Sequence, residues 1–469
     1  MDLQHIQQLY GATSQARAFA NAVNDETVRS IFLQGLVGSS VPMFFAGLTA
    51  MLNRTVLFVL QDTDEAGYFY HDLTQVMGQE QVLFFPSSFR RAVKYGQRDA
   101  ANEVLRTEVL TRISSSTIPM YIVTSPEALS ELVVSKKQLD ERRLSLKVGQ
   151  TICVTELTHK LLALGFSETD YVYEPGQFAL RGSILDVYSF SGELPYRIDF
   201  FGDEIDTIRT FTVQDQLSKD KMTAVEIVPE LVGLSTEKVS FFRFLPANTL
   251  LAIKDMLYVR DSIVQIYDEG FSSQAITERM EEATEMERQE IVREMRRESQ
   301  LISPSQFTED MASFCRVEFC HQPTDTPQVK IQFNTTPQPP FHKNFDFLRQ
   351  TIDQYALSGY TIYILSDSKK QQERLTEILK NASSSVSSES GGAFMHHDYN
   401  AISPEKADAA DSKEVFLSGT LHTGFIDNGL RACFFTDHQI FDRFHKYSLR
   451  SDTARAGKMA LTMKELQEM

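Results

Sequence analysis

Gly35-Leu36-Val37-Gly38-Ser39-Ser40-Val41-Pro42 runs straight into the apolar stretch Met43-Phe44-Phe45-Ala46-Gly47-Leu48. A working phosphate loop reads G-x-x-x-x-G-K-[ST], with helicase variants such as G-x-x-G-S-G-K-T. Its backbone N–H groups cradle phosphate oxygens, its lysine reaches the β- and γ-phosphates, and its hydroxyl holds Mg²⁺. Here Gly35 and Gly38 are in place, but Val41 stands at the lysine position and Pro42 at the Ser/Thr position. Proline also withdraws a backbone donor from the helix N-terminus that would bind the anion. The stretch predicts a loop that keeps its glycine and serine framework (Gly35, Gly38, Ser39) without binding nucleotide. A plain Gly/Ser turn before an ordinary helix fits the same residues, so the rest of the chain has to decide.

The chain has 469 residues, roughly three domains at ~150 residues each. It is 42% hydrophobic and 23% charged, with no long apolar span and no signal peptide, so a cytoplasmic protein without a membrane partner is expected. The net charge of −17 argues against a general nucleic-acid binder, because phosphate neutralisation needs basic surface. The four cysteines (Cys153, Cys315, Cys320 and Cys433) suit reduced cytoplasmic usage, not a disulfide framework. Cys315-x4-Cys320-His321 lacks a second ligand pair at zinc spacing, and Phe314–Cys320 reads as alternating strand residues. No metal is expected.

Short apolar runs at Thr55–Leu60, Gln81–Phe85 and Met120–Thr124, with helical spacing over Ala100–Ile113, predict an α/β layer. From Leu146 to Leu217 the period changes to two. Arg181–Tyr188, Tyr196–Phe201 and Glu204–Val213 read as consecutive antiparallel strands, preceded by a helix over Val154–Leu164. This predicts a compact α+β module inserted into the larger domain. The α/β character returns from Ser218, with a buried strand at Thr249–Ile253 and a charge-rich helical stretch over Gln274–Gln300. Pro323, Pro327, Pro337, Pro339 and Pro340 suggest a linker. A small second α/β unit follows: helices Asn344–Ala356 and Lys369–Leu379, strands Thr361–Leu365 and Ala432–Thr436, and a Ser-rich loop over Ala382–Gly392. The final polar segment, Lys458–Met469, is expected to lead on to further domains.

Two segments carry a resemblance: Gly176-Gln177-Phe178-Ala179-Leu180-Arg181-Gly182-Ser183-Ile184-Leu185-Asp186-Val187-Tyr188, and Leu194-Pro195-Tyr196-Arg197-Ile198-Asp199-Phe200-Phe201-Gly202-Asp203-Glu204-Ile205. Together they resemble a signature shared by the excision-repair helicase UvrB and the bacterial transcription-repair coupling factor family (Mfd). The coupling-factor match is closer and extends to Thr436–Arg443. The resemblance implies an α/β fold: a UvrB-like, degenerate P-loop (RecA-like) domain split by the inserted module and followed by a small second α/β domain. The implied organisation is domain 1a over 1–145, the UvrA-binding module over 146–217 and domain 1b over 218–322. A Pro-rich linker over 323–340, a domain of unknown role over 341–445 and a linker helix over 446–469 complete it.

In UvrB the first domain binds ATP; the coupling-factor version has lost the site. The strand Leu250-Leu251-Ala252-Ile253-Lys254-Asp255 occupies the place of UvrB's apolar strand with its Asp-Glu pair, and Lys254 puts a positive charge where Mg²⁺ would be held. No cofactor and no catalysis are therefore expected here. Ile263–Glu269 mimics a Walker-B strand, but has no lysine-bearing loop to partner it. ATP, Mg²⁺ and translocase activity would belong to motor domains beyond Met469, as would contacts to RNA polymerase and DNA.

Strand alternation places Arg197, Asp199 and Phe201 on one face of Tyr196–Phe201, opposite the core-facing Tyr196, Ile198 and Phe200. By resemblance this module docks UvrA through Arg181, Arg197 and Phe201. The arginines would offer charge-assisted hydrogen bonds to carboxylates, and Phe201 would fill an apolar pocket. UvrB has another arginine two residues before the Arg-Gly pair, where Ala179 stands here. The expected function is recruitment of UvrA to a stalled polymerase. The rivals are an active UvrB-like helicase and a DNA-binding module working through Phe89, Arg90, Arg91, Lys94, Tyr95 and Arg98.

Overall fold

A computed structural model of the chain describes residues 3–88, 100–231, 238–269, 300–386, 414–444 and 446–447. They fall into two compact units, one drawn from residues 3–53, 68–79 and 317–447, the other from 54–67 and 80–316.

In the first unit the strand Ser30–Gln34 pairs in parallel with Val329–Gln332, Ile31 opposite Val329. The Gly/Ser loop follows, and then the helix Ser40–Gly47, every residue of which is buried. Its close neighbour is the helix Gln4–Gly11, where glycine is required on both sides. A Cβ on Gly47 would stand 2.6 Å from the Tyr10 Cβ, and one on Gly11 2.9 Å from the Gly47 carbonyl oxygen. Phe44 packs edge-on against Phe19 and Phe45, an arrangement that suits the ring quadrupoles.

A five-stranded mixed sheet completes the unit, in the order Thr335–Pro337, Phe425–Asp427, Ala432–Thr436, Thr361–Ser366, Glu414–Ser418. The helices Phe345–Leu357 and Lys369–Val386 contribute Leu348, Ile352, Leu375 and Leu379 to its core. Asn344 caps the first of them by accepting the Phe347 N–H at 2.9 Å. The stretch expected as a Pro-rich linker thus holds two strands, Val329–Gln332 and Thr335–Pro337. They are too short for their alternation to stand out among the prolines.

In the second unit Leu250–Ile253, Val56–Val59, Tyr121–Thr124 and Val82–Phe85 lie side by side in this order, all parallel. All four strands are buried along their length, which is why they read as continuous apolar runs. Ile263–Glu269 belongs to the helix Met256–Glu269.

The α+β module leaves and rejoins this unit through an antiparallel ribbon, Leu144–Lys147 against Ala224–Ile227. Between the two ribbon strands lie the helix Val154–Ala163 and a six-stranded sheet. The sheet order is Ser218–Met222, Glu204–Phe211, Tyr196–Phe201, Ile184–Val187, Gln177–Arg181, Ser167–Glu168. Leu157 and Leu161 of the helix bury against Phe178, Leu185, Ile198, Phe200 and Ile208. Burying side chains of this size stabilises the module by about 1.5–3 kcal/mol each.

Two expectations change here. The predicted strand Arg181–Tyr188 divides at a two-residue turn, Gly182-Ser183, where Gly182 takes a φ of 64° that favours glycine. The sheet also continues past residue 217 into Ser218–Met222, whose five residues are all exposed and so carry no apolar alternation. Of the segments read from sequence, residues 89–98, 274–299, 387–392 and 458–469 lie outside the described residues.

Candidate functional site

In the loop Gly35–Pro42, Gly35 and Gly38 take φ of 91° and 51°, in the region that favours glycine. Two of its backbone donors are engaged by hydroxyls of the same unit. The Val37 N–H donates to Ser40 Oγ at 2.8 Å and to Thr335 Oγ1 at 3.0 Å. The Ser39 N–H donates to Thr423 Oγ1 at 3.0 Å, and the Thr423 N–H donates back to Ser39 Oγ at 2.9 Å. A Cβ on Gly38 would stand 2.2 Å from Thr423 Oγ1, so the hydroxyl sits where the second glycine leaves room.

Behind this pair lies a buried carboxylate. Ser39 Oγ donates to Asp72 Oδ2 at 2.6 Å and the His422 N–H to Asp72 Oδ1 at 2.7 Å. Burial pushes the Asp72 carboxyl up to about 7, against the pull of those two hydrogen bonds. Val41 is buried, and Pro42 lies in the first helical turn, where a missing N–H is tolerated.

Lys254 and Asp255 also have structural partners. The Lys254 ammonium pairs with Glu65 and donates to Gln61 Oε1 at 3.4 Å. Asp255 Oδ1 accepts the Tyr258 N–H at 3.0 Å, at the start of the helix Met256–Glu269. Among the described residues no group of three or more His, Cys, Asp or Glu could hold a metal ion. No helix among them is long and apolar enough to cross a membrane.

The six-stranded sheet presents a different chemistry on the face away from its helix. Asp186 lies directly between Ala179 and Arg197 in the cross-strand register, and Arg197 between Asp186 and Arg209. Arg197 Nε donates to Asp186 Oδ1 at 2.8 Å and its Nη2 to Oδ2 at 2.9 Å, while Nη1 reaches the Gln216 carbonyl at 3.0 Å. Its guanidinium carbon also stands 4.5 Å from the Phe211 ring centroid. Hydrogen bonding to Asp186 raises the Arg197 guanidinium above its usual value, so it stays charged.

Arg181 reaches the same carboxylate from the neighbouring strand and pairs with Asp186 Oδ2. It donates to the Asp170 carbonyl at 3.0 Å and lies over the Tyr171 ring at 4.7 Å. Asp199 pairs with Arg209 and accepts from Thr207 Oγ1 at 2.7 Å. Phe201 projects from the end of its strand and is 83% exposed, beside the turns Gly182-Ser183 and Gly202-Asp203. The described fold therefore gathers Arg181, Arg197 and Phe201 on one face of one sheet. Three of the participants escape a reading of sequence: Asp186, Tyr171 and Thr423. The signal for Asp186 is a lone carboxylate inside the apolar run Ile184-Leu185-Asp186-Val187; Thr423 has no local signal at all.

Residues 144–231 match the family model described as the UvrB interaction domain, and these residues begin on one strand of the ribbon and end just beyond the other. The chain's relatives include the transcription-repair-coupling factor of Bacillus subtilis (strain 168), 24% identical over 256 residues, which cover 54% of this chain and 22% of that protein. The transcription-repair-coupling factor of Staphylococcus aureus (strain bovine RF122 / ET3-1) is 28% identical over 205 residues, covering 44% of this chain and 17% of that protein. The matched stretches span about a fifth of the length of these relatives.

Proposed function

We propose that the chain recruits UvrA, and that it is the non-catalytic adaptor part of a transcription-repair coupling factor linking stalled RNA polymerase to nucleotide excision repair. The observation that carries this reading is the exposed Phe201 on the same sheet face as two carboxylate-held arginines, on a module matching the UvrB interaction domain. An exposed aromatic next to a charged, hydrogen-bonding rim is the usual composition of a protein-binding hot spot. RNA polymerase, DNA and ATP-driven translocation belong, in this reading, to the remainder of the coupling factor. Support for an adaptor without nucleotide chemistry comes from Val41 and Pro42 and from the hydroxyls that engage the loop's donors. Co-elution of the purified chain with purified UvrA in size-exclusion chromatography tests the proposal; separate elution of the folded chain at micromolar concentration contradicts it.

A further inference from the structure

Both arginines of the proposed docking face rest on one carboxylate. We infer that Asp186 is the positioning residue of that face: it fixes the guanidinium groups of Arg181 and Arg197 in the orientation in which they meet the partner. This rests on the UvrA reading above and assigns the face a residue that does not itself touch the partner.

The Asp186 side chain is 0% exposed, while those of Arg197 and Arg181 are 13% and 34% exposed. A carboxylate so deep in the sheet requires charged donors, since an unpaired buried charge is far costlier than a paired one. It receives them from both neighbouring strands: two N–H groups from Arg197 and one from Arg181. The register makes this possible. Ala179, directly opposite Asp186, is small and buried, so Arg181 can reach back two positions along the strand to the shared oxygen.

Two guanidinium charges against one carboxylate leave this cluster with a net positive charge, and Arg197 lies on the same strand as the exposed Phe201. Arginine has many rotamers, and ordering it on association costs affinity; ordering it beforehand removes that cost. Asp186, with the Asp170 carbonyl and the Tyr171 ring, does this for Arg181 in the unbound protein.

The test is a set of double-mutant cycles read as the dissociation constant for purified UvrA: Asp186→Asn alone, in an Arg181→Ala background and in a Phe201→Ala background. Asp186→Asn alone is expected to weaken binding on the order of tenfold. That loss should shrink to about threefold or less beside Arg181→Ala, yet persist in full beside Phe201→Ala. An equal loss in both backgrounds overturns the assignment, because general damage to the sheet adds without regard to Arg181. No loss at all also overturns it. Arginine Nε–H NMR gives an independent readout: ordered side-chain signals for Arg181 and Arg197 in the wild type, lost in Asp186→Asn. If Asp186→Asn does not fold, Asp186→Glu enters the same cycles, since it keeps the charge and displaces the carboxylate. A folded wild type that does not bind UvrA overturns the UvrA reading itself, and this assignment with it.

Discussion

The Thr423 hydroxyl accepts the Ser39 N–H at 3.0 Å, and the Ser39 hydroxyl accepts the Thr423 N–H at 2.9 Å. This reciprocal pair ties the Gly/Ser loop to a segment on the far side of the sequence.

Thr423→Ala should destabilise the chain by about 1–3 kcal/mol, because it leaves the Ser39 N–H without its acceptor. Thr423→Ser keeps the hydroxyl and should lie close to the wild type. Gly38→Ala should cost more than either, since its Cβ meets the Thr423 hydroxyl and its positive φ adds about 1–2 kcal/mol. Urea unfolding of the three variants gives the order directly.

Restoring the motif in sequence should not restore nucleotide binding. Val41→Lys with Pro42→Thr puts back the lysine and the hydroxyl, but Ser40 still stands at the glycine before the lysine, Thr335 and Thr423 still accept from Val37 and Ser39, and Asp72 still stands behind them. A fluorescent ATP analogue should show no saturable binding to this double variant; micromolar affinity would contradict the account.

Asp72 gives the fold a pH dependence of known sign. Its carboxyl is raised from an ordinary 3.8 to about 7 in the folded chain, mainly by burial. The folded state therefore holds the proton more tightly than the unfolded state. The stability this provides is complete below about pH 4 and is lost as pH rises through about 7. At ~1.4 kcal/mol per pKa unit, the loss is at most roughly 4 kcal/mol. Asp72→Asn should flatten the stability profile between pH 4 and 7 and be the more stable form, relative to wild type, at pH 8. Thermal unfolding across that range measures it, and identical profiles for the two proteins would contradict the assignment.

Phe201→Ser should separate binding from folding. The ring is 83% exposed, so stability should change by no more than about 0.5 kcal/mol, while affinity for UvrA should fall tenfold or more. Leu161→Ala, on the buried face of the same module, should do the opposite and cost about 2–5 kcal/mol of stability.

Much of the fold is legible in the chain because local physics decides it. Gly202-Asp203 between two alternating runs marks a hairpin, and the all-apolar Val56–Val59 marks a buried parallel strand. Ser218–Met222 escapes notice because an edge strand of Ser, Lys, Asp and Met has no buried face to impose alternation. The proposed docking residues Arg181, Arg197 and Phe201 are named by motif, and Phe201's exposure follows from strand alternation. Asp186 does not follow in the same way, since its function depends on a register between three strands. The engagement of the loop by Thr423 depends on contacts between residues 384 positions apart, which no window of sequence contains.

The most direct test of the central claim is calorimetric titration of the chain into purified UvrA, beside an Arg181→Ala/Phe201→Ala variant shown to be folded. The account predicts saturable binding by the wild type and a loss well beyond tenfold in the variant, since removal of a hot-spot residue costs ~2 kcal/mol or more. A folded wild type that releases no binding heat, or a variant that binds as tightly as the wild type, would contradict it.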